Sequence, residues 1–174
     1  MRYALFLRGI NVGGAKKVPM AELRAMFESL GFENVKTLQN AGNAVFETKT
    51  SRAGLIPLIE KTFTATFGFE SQIKLRTFAQ IEQMIALDPF KTIKTGKDVR
   101  LYVTFLRGKS KSRLPLPHTS ETGIQILRKT DSEVFTALNL KTAHTLEAMA
   151  MIEKEFGKDV TTKNWNTILK IAAL

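Results

Sequence analysis

No cysteine occurs in the 174 residues, which excludes a disulfide framework, a thiolate nucleophile and any zinc site built on sulfur. Histidine is nearly as scarce. His118 and His144 stand in no metal-ligand spacing, and there is no Gly-x-Ser-x-Gly elbow, so a Ser-His-Asp hydrolase or a dedicated zinc centre would require convergence from distant positions. No apolar run approaches the roughly 20 residues that span a bilayer. Met1 leads directly into a strand pattern, without the layout of a signal peptide. The expectation is a soluble, cytoplasmic protein with no membrane partner; the sequence leaves its oligomeric state open.

What is present is basic charge and enough apolar content for a core, 44% of residues against a net charge of +10. The charge is unevenly placed. Residues 1–88 carry 11 Lys and Arg against 8 Asp and Glu, whereas residues 89–174 carry 15 against 8. Between Lys91 and Arg113, Lys91, Lys94, Lys97, Arg100, Arg107, Lys109, Lys111 and Arg113 face only Asp98. Such a stretch suits nucleic acid, a phosphorylated ligand or an acidic partner, and equally a solvated connection.

Periodicity predicts an α+β chain. Tyr3, Leu5 and Leu7 alternate with Ala4 and Phe6 in a strand covered on both faces. A helix is expected from Pro19 to Leu30, with Met20, Leu23, Met26 and Phe27 at helical spacing and Gly31 as its stop. Val35–Leu38 and Ala44–Phe46 flank Gln39-Asn40-Ala41-Gly42-Asn43 as a hairpin. Ile56, Ile59, Phe63 and Phe67 mark a second helix with Pro57 in its first turn, and Ile73 and Leu75 a half-exposed strand with Lys74 and Arg76 outward. This β-α-β-β-α-β order is ferredoxin-like and is assigned to residues 1–76.

Residues 77–174 read as a second, variant subdomain of order α-β-β-β-α-α. Thr77 and Gln80 form a capping box for a helix over Phe78, Ile81, Met84 and Ile85. Val99–Leu106 is a strand, residues 108–120 the longest structureless connection, and residues 123–127 and 133–140 a hairpin. Leu146, Met149, Ile152 and Phe156 share one face of a helix, and a last helix from Trp165 is capped by Thr161 or Thr162. Phe6-Leu7-Arg8-Gly9 recurs as Phe105-Leu106-Arg107-Gly108, a weak sign of duplication.

The first strand opens into Arg8-Gly9-Ile10-Asn11-Val12-Gly13-Gly14-Ala15-Lys16-Lys17. Glycines here permit positive φ, and successive N–H groups can form an anion nest beside the lysines. The spacing matches neither the dinucleotide fingerprint nor the phosphate-binding loop, since Ala15 displaces the lysine and no Ser or Thr follows it. No cofactor is expected. A module that stacks bases on its strands would carry aromatics where Asn43 and Val45 stand.

The run Leu7–Gly14, the hairpin Asn40-Ala41-Gly42-Asn43 and the closing Thr161-Thr162-Lys163-Asn164-Trp165-Asn166-Thr167 together resemble a bacterial family of unknown function, DUF1697. The resemblance spans essentially the whole chain. It implies a compact α+β protein and supplies no reaction; Ala41 stands where relatives often have Ser, and Lys163 where Arg is common. The functional expectation is a binding module for an anionic ligand, a phosphate-bearing small molecule or nucleic acid. Its site would comprise Arg8, Gly9, Asn11, Gly13, Gly14, Lys16 and Lys17, joined by Asn43, Lys163 and Asn164. An enzyme for a small phosphorylated or carboxylated substrate is the alternative, and an interaction or structural role a third.

Overall fold

The computed structural model describes residues 1–14, 16–38 and 42–174. The chain is α+β and divides into two units, Met1–Glu82 with Ile171–Leu174, and Gln83–Lys170. In the first, β1 (Arg2–Leu7), α1 (Met20–Ser29), β2 (Glu33–Leu38), β3 (Asn43–Glu47), α2 (Arg52–Phe67) and β4 (Ile73–Thr77) follow the expected order. The strands form an antiparallel sheet of order β2-β3-β1-β4. Because side chains alternate across a strand, Tyr3, Leu5 and Leu7 share one face with Ala44, Phe46, Ile73 and Leu75. Leu23 and Phe27 of α1, and Leu55, Ile59 and Phe63 of α2, close over that face. Phe27, Phe32 and Phe46 stack in series, with centroids 5.2 Å apart for Phe27 and Phe46 and 4.6 Å for Phe32 and Phe46.

The opposite face of this sheet is buried as well. Ala4, Phe6 and Val45 are inaccessible, and so are Lys74 and Arg76 at 6% and 5% exposure. The expectation of a half-exposed β4 is therefore corrected. Polar alternation reads as a wet face, but long Lys and Arg side chains can bury their stems if their heads find partners; Arg76 Nη1 donates to the Leu75 carbonyl at 2.9 Å. Helix α2 also starts earlier than expected, at Arg52 after Ser51, which leaves Pro57 inside the helix rather than in its first turn. The Leu55, Ile59 and Phe63 row is the buried one, and it outweighs the hydrogen bond that Pro57 cannot donate.

Helix α3 (Phe78–Ala86) follows β4 directly. Its capping box forms as the sequence predicts: Gln80 N donates to Thr77 Oγ1 at 3.2 Å, and Thr77 N donates to Gln80 Oε1 at 3.0 Å. The second unit then contains β5 (Val99–Leu106), β6 (His118–Thr119), β7 (Gln125–Lys129), β8 (Glu133–Asn139), α4 (Thr145–Phe156), β9 (Val160–Asn164) and the start of α5 (Trp165–Ala172). The sheet order is β6-β7-β8-β5-β9, again antiparallel. Two of these strands are not legible in the sequence. Residues 160–164 are an edge strand on β5, not a helix cap, and His118 lies on β6, not in a loop.

Strand β9 makes the internal repeat explicit. The order β7-β8-β5-β9 reproduces β2-β3-β1-β4, with α4 in the position of α2. The repeated Phe-Leu-Arg-Gly lies at the same place in both units, the end of β1 and the end of β5. What the second unit lacks is a counterpart of α1. Residues 108–117 run there instead, and Leu114 and Leu116 pack on Leu106, Ile126, Val134, Ile152 and Val160. On α4 the buried residues are Ala148 and Ile152, while Leu146, expected on the inner face, is 85% exposed.

Candidate functional site

The loop after β1 is tied down before it reaches its glycines. Arg8 N donates to the Gln72 carbonyl at 3.1 Å, Ser71 Oγ donates to the Arg8 carbonyl at 2.9 Å, and Arg8 Nη1 reaches Gln72 Oε1 at 3.2 Å. Gly9, Asn11, Gly13, Gly14 and Lys16 then all take positive φ, between 50° and 77°. Asn is one of the few residues with a side chain that visits this region readily. At Asn11 the side chain shows why it is used: Oδ1 accepts from Val18 N at 2.8 Å and Nδ2 donates to the Val18 carbonyl at 3.0 Å. Asn11 N also donates to the Lys16 carbonyl at 3.1 Å. The carboxamide thus takes the place of a neighbouring strand for Val18 and closes the loop.

Closure turns the charged part outward. Val12, Gly13, Gly14, Lys16 and Lys17 are exposed, whereas Ile10 and Val18 are buried. The Lys16 ammonium sits 5.6 Å from the centre of the Phe69 ring, within cation–π range. A shallow concavity of about 380 Å³ is lined by Asn11, Gly14, Lys17, Val18 and Pro19. Pro19 is the N-cap of α1 and provides no side-chain cap, so the first N–H groups of the helix are without a side-chain acceptor from that position.

The β2–β3 hairpin lies at the same end of the sheet as this loop. Leu7 N donates to the Gly42 carbonyl at 2.8 Å. A Cβ on Gly42 would stand 2.6 Å from Ile10 Cδ1 and 2.8 Å from Leu7 Cβ, and Gly42 has φ +66°. Glycine is therefore required twice over at this position. Asn43 follows it but does not face solvent: it is fully buried, with Nδ2 donating to the Leu38 carbonyl at 3.3 Å and Oδ1 lacking a partner among the described residues. Asn40 and Ala41 of the same motif lie outside the described residues.

Lys163 and Asn164 belong to the second unit, at the end of β9. Asn164 Oδ1 accepts from Asn166 N at 2.9 Å, so Asn164, and neither Thr161 nor Thr162, turns the chain into α5. Lys163 is half-buried opposite Val103 of β5, and loss of hydration lowers its ammonium pKa to about 8. Trp165 is core: its ring meets Phe90 edge-on at 5.2 Å and Phe135 at 6.0 Å.

Among the described residues there is no group of three His, Cys, Asp or Glu able to hold a metal. The aromatic rings on the β1 and β3 strands, Tyr3, Phe6 and Phe46, are all buried, so none offers a face for base stacking. Among the described residues, no helix is long and apolar enough to cross a membrane.

No curated protein matches the chain. Among solved structures, the conserved bacterial protein SP0830 from Streptococcus pneumoniae is similar over 99% of this chain and 97% of its own, with 25% identity and a TM-score of 0.74. The two thus share both units of the fold. The family model described as a protein of unknown function, DUF1697, matches residues 1–135, which include the loop, the hairpin and most of the second sheet. The chain belongs to the DUF1697 family.

Proposed function

We propose that the chain is a binding module for a phosphate-bearing anion, held at the loop from Arg8 to Lys17. The observation that carries this reading is the Asn11–Val18 pairing, which fixes the loop from within and leaves Gly13, Gly14, Lys16 and Lys17 outward. A pre-ordered cationic loop loses little conformational freedom when an anion docks, and charge-assisted hydrogen bonds to it are the strong kind. Binding is favoured over catalysis because the concavity's lining, Asn11, Gly14, Lys17, Val18 and Pro19, includes no carboxylate, imidazole, hydroxyl or thiol.

The test is a thermal-shift and calorimetric screen against nucleoside phosphates, phosphorylated sugars and short oligonucleotides at low and physiological salt. The expected outcome is a ligand that binds wild type and binds a Lys16→Ala, Lys17→Ala variant about ten-fold more weakly or worse, a loss of about 1.4 kcal/mol. A double variant that binds every ligand as wild type does would end the loop reading.

A further inference from the structure

The second unit carries a site of its own. We propose that the segment Lys109–Arg113 is a nucleic-acid-binding strap that holds a phosphodiester backbone without reading its bases. The segment replaces the missing counterpart of α1, and from residue 109 to residue 117 its exposure alternates strictly. Ser110, Ser112, Leu114 and Leu116 are half-buried; Lys109, Lys111, Arg113, Pro115 and Pro117 are exposed. Alternation of this kind places side chains two apart on one side, roughly 6 to 7 Å from one another along an extended chain. Three consecutive outward positions are thus cationic.

The inner row fixes the outer one. Ser110 N donates to the Asp131 carbonyl at 3.2 Å, Ser112 N donates to Ser110 Oγ at 3.2 Å, and Leu114 N donates to Ser112 Oγ at 3.2 Å. Ser112 Oγ donates to Glu155, and Lys129 Nζ donates to the Ser112 carbonyl. Leu114 and Leu116 seat the far end in the core. As expected, residues 108–117 hold no helix or strand, and these contacts pin them as an extended strap.

Beside it lies a concavity of about 690 Å³, lined by the strap and by the turn after α4. Its cations are Arg107, Lys109, Lys111, Arg113 and Lys158, and its carboxylates Glu155 and Asp159. Glu155 is engaged by Ser112, and Asp159 lies 3.4 Å from Arg107. Among the described residues Lys109 has only a solvent-exposed pairing with Asp131 at 3.5 Å, a weak competitor for a phosphate. Lys111 and Arg113 have no ion pair among the described residues. Phe156, the one aromatic in the lining, is half-buried and packs against the core cluster. Regularly spaced cations on a fixed strap suit a repeating phosphate chain rather than a single phosphate.

The experiment measures fluorescence anisotropy of labelled 12-nucleotide single strands and the matching duplexes, in two unrelated sequences, from 50 to 200 mM salt. Wild type is expected to bind both sequences equally and to weaken steeply with salt. A Lys109→Ser, Lys111→Ser, Arg113→Ser variant is expected to lose ten-fold or more at 50 mM salt. Its slope of log affinity on log salt is expected to be shallower by about 2 for single strands and about 3 for duplexes, since each of the three phosphates left without its cation accounts for about 0.7 or about 0.9 respectively. The three side chains are exposed, and an unchanged thermal midpoint confirms that the variant folds. The Lys16→Ala, Lys17→Ala variant separates this site from the first-unit loop, since it is expected to keep the oligonucleotide affinity and slope of wild type. Oligonucleotide affinity or slope unchanged in the strap variant overturns the proposal. Equal binding of a polyglutamate peptide, abolished in the same variant, also overturns it and assigns the strap to an acidic protein.

Discussion

Asn11 and Val18 face each other across the first loop like residues of paired strands, with the Asn11 carboxamide both accepting from and donating to the Val18 backbone at 2.8 and 3.0 Å. Val18 is 1% exposed, so neither of its backbone groups can turn to water for a replacement. Asn11→Ala removes two hydrogen bonds, leaves two buried groups unmet and forces Ala to φ +55°. The expected loss is about 2 to 4 kcal/mol, read as a lower urea midpoint at unchanged slope.

Gly42 and Gly31 separate two reasons for glycine. Both have positive φ, but a Cβ at Gly31 meets nothing within 4 Å, whereas at Gly42 it strikes Ile10 and Leu7. Gly31→Ala is expected to lose about 1 kcal/mol from backbone strain alone. Gly42→Ala adds overpacking of about 1 to 3 kcal/mol. Thermal unfolding of the two variants checks the order; equal losses would show that Ile10 moves aside without cost.

Trp165 opens α5 and meets Phe90 and Phe135 edge-on, with 8% of its surface exposed. Trp165→Ala is expected to cost about 3 to 5 kcal/mol, seen in chemical denaturation. An unchanged midpoint would remove the ring from the core and make it a surface group.

Lys163 gives stability a pH dependence of known sign. Its ammonium has a pKa of about 8 when folded and 10.5 when unfolded. Below pH 8 both states are protonated and its contribution is constant. Between pH 8 and 10.5 the unfolded chain binds more protons, so this group makes stability rise with pH, and above that range its effect levels off. Lys163→Met is expected to remove that rise. Urea midpoints of both proteins from about pH 7 to about pH 10 check it, and parallel curves would show that Lys163 titrates normally.

Local chemistry determined much of this protein. The βαββαβ order of the first half follows from periods of two and 3.6 residues, and the Thr77–Gln80 capping box follows from short-range pattern. So does the position of the first loop, because Gly9, Gly13 and Gly14 interrupt an apolar strand and an amphipathic helix. What only tertiary structure decided are the features set by distant partners. Val160–Asn164 is a strand because β5 offers it an open edge, although Thr161 and Thr162 read locally as caps. Lys74 and Arg76 are buried because the second face of their sheet is covered, which alternation along one strand cannot reveal. Asn11 is tied to Val18, seven positions away, through both ends of its amide, a partner that its own sequence neighbourhood does not name. Residues 109–117 have loop composition, and it is the core beneath Leu114 and Leu116 that draws them into an extended row with its cations outward. The order of residues determines which side chains are available; which of them face water depends on surfaces that exist only after the chain has folded.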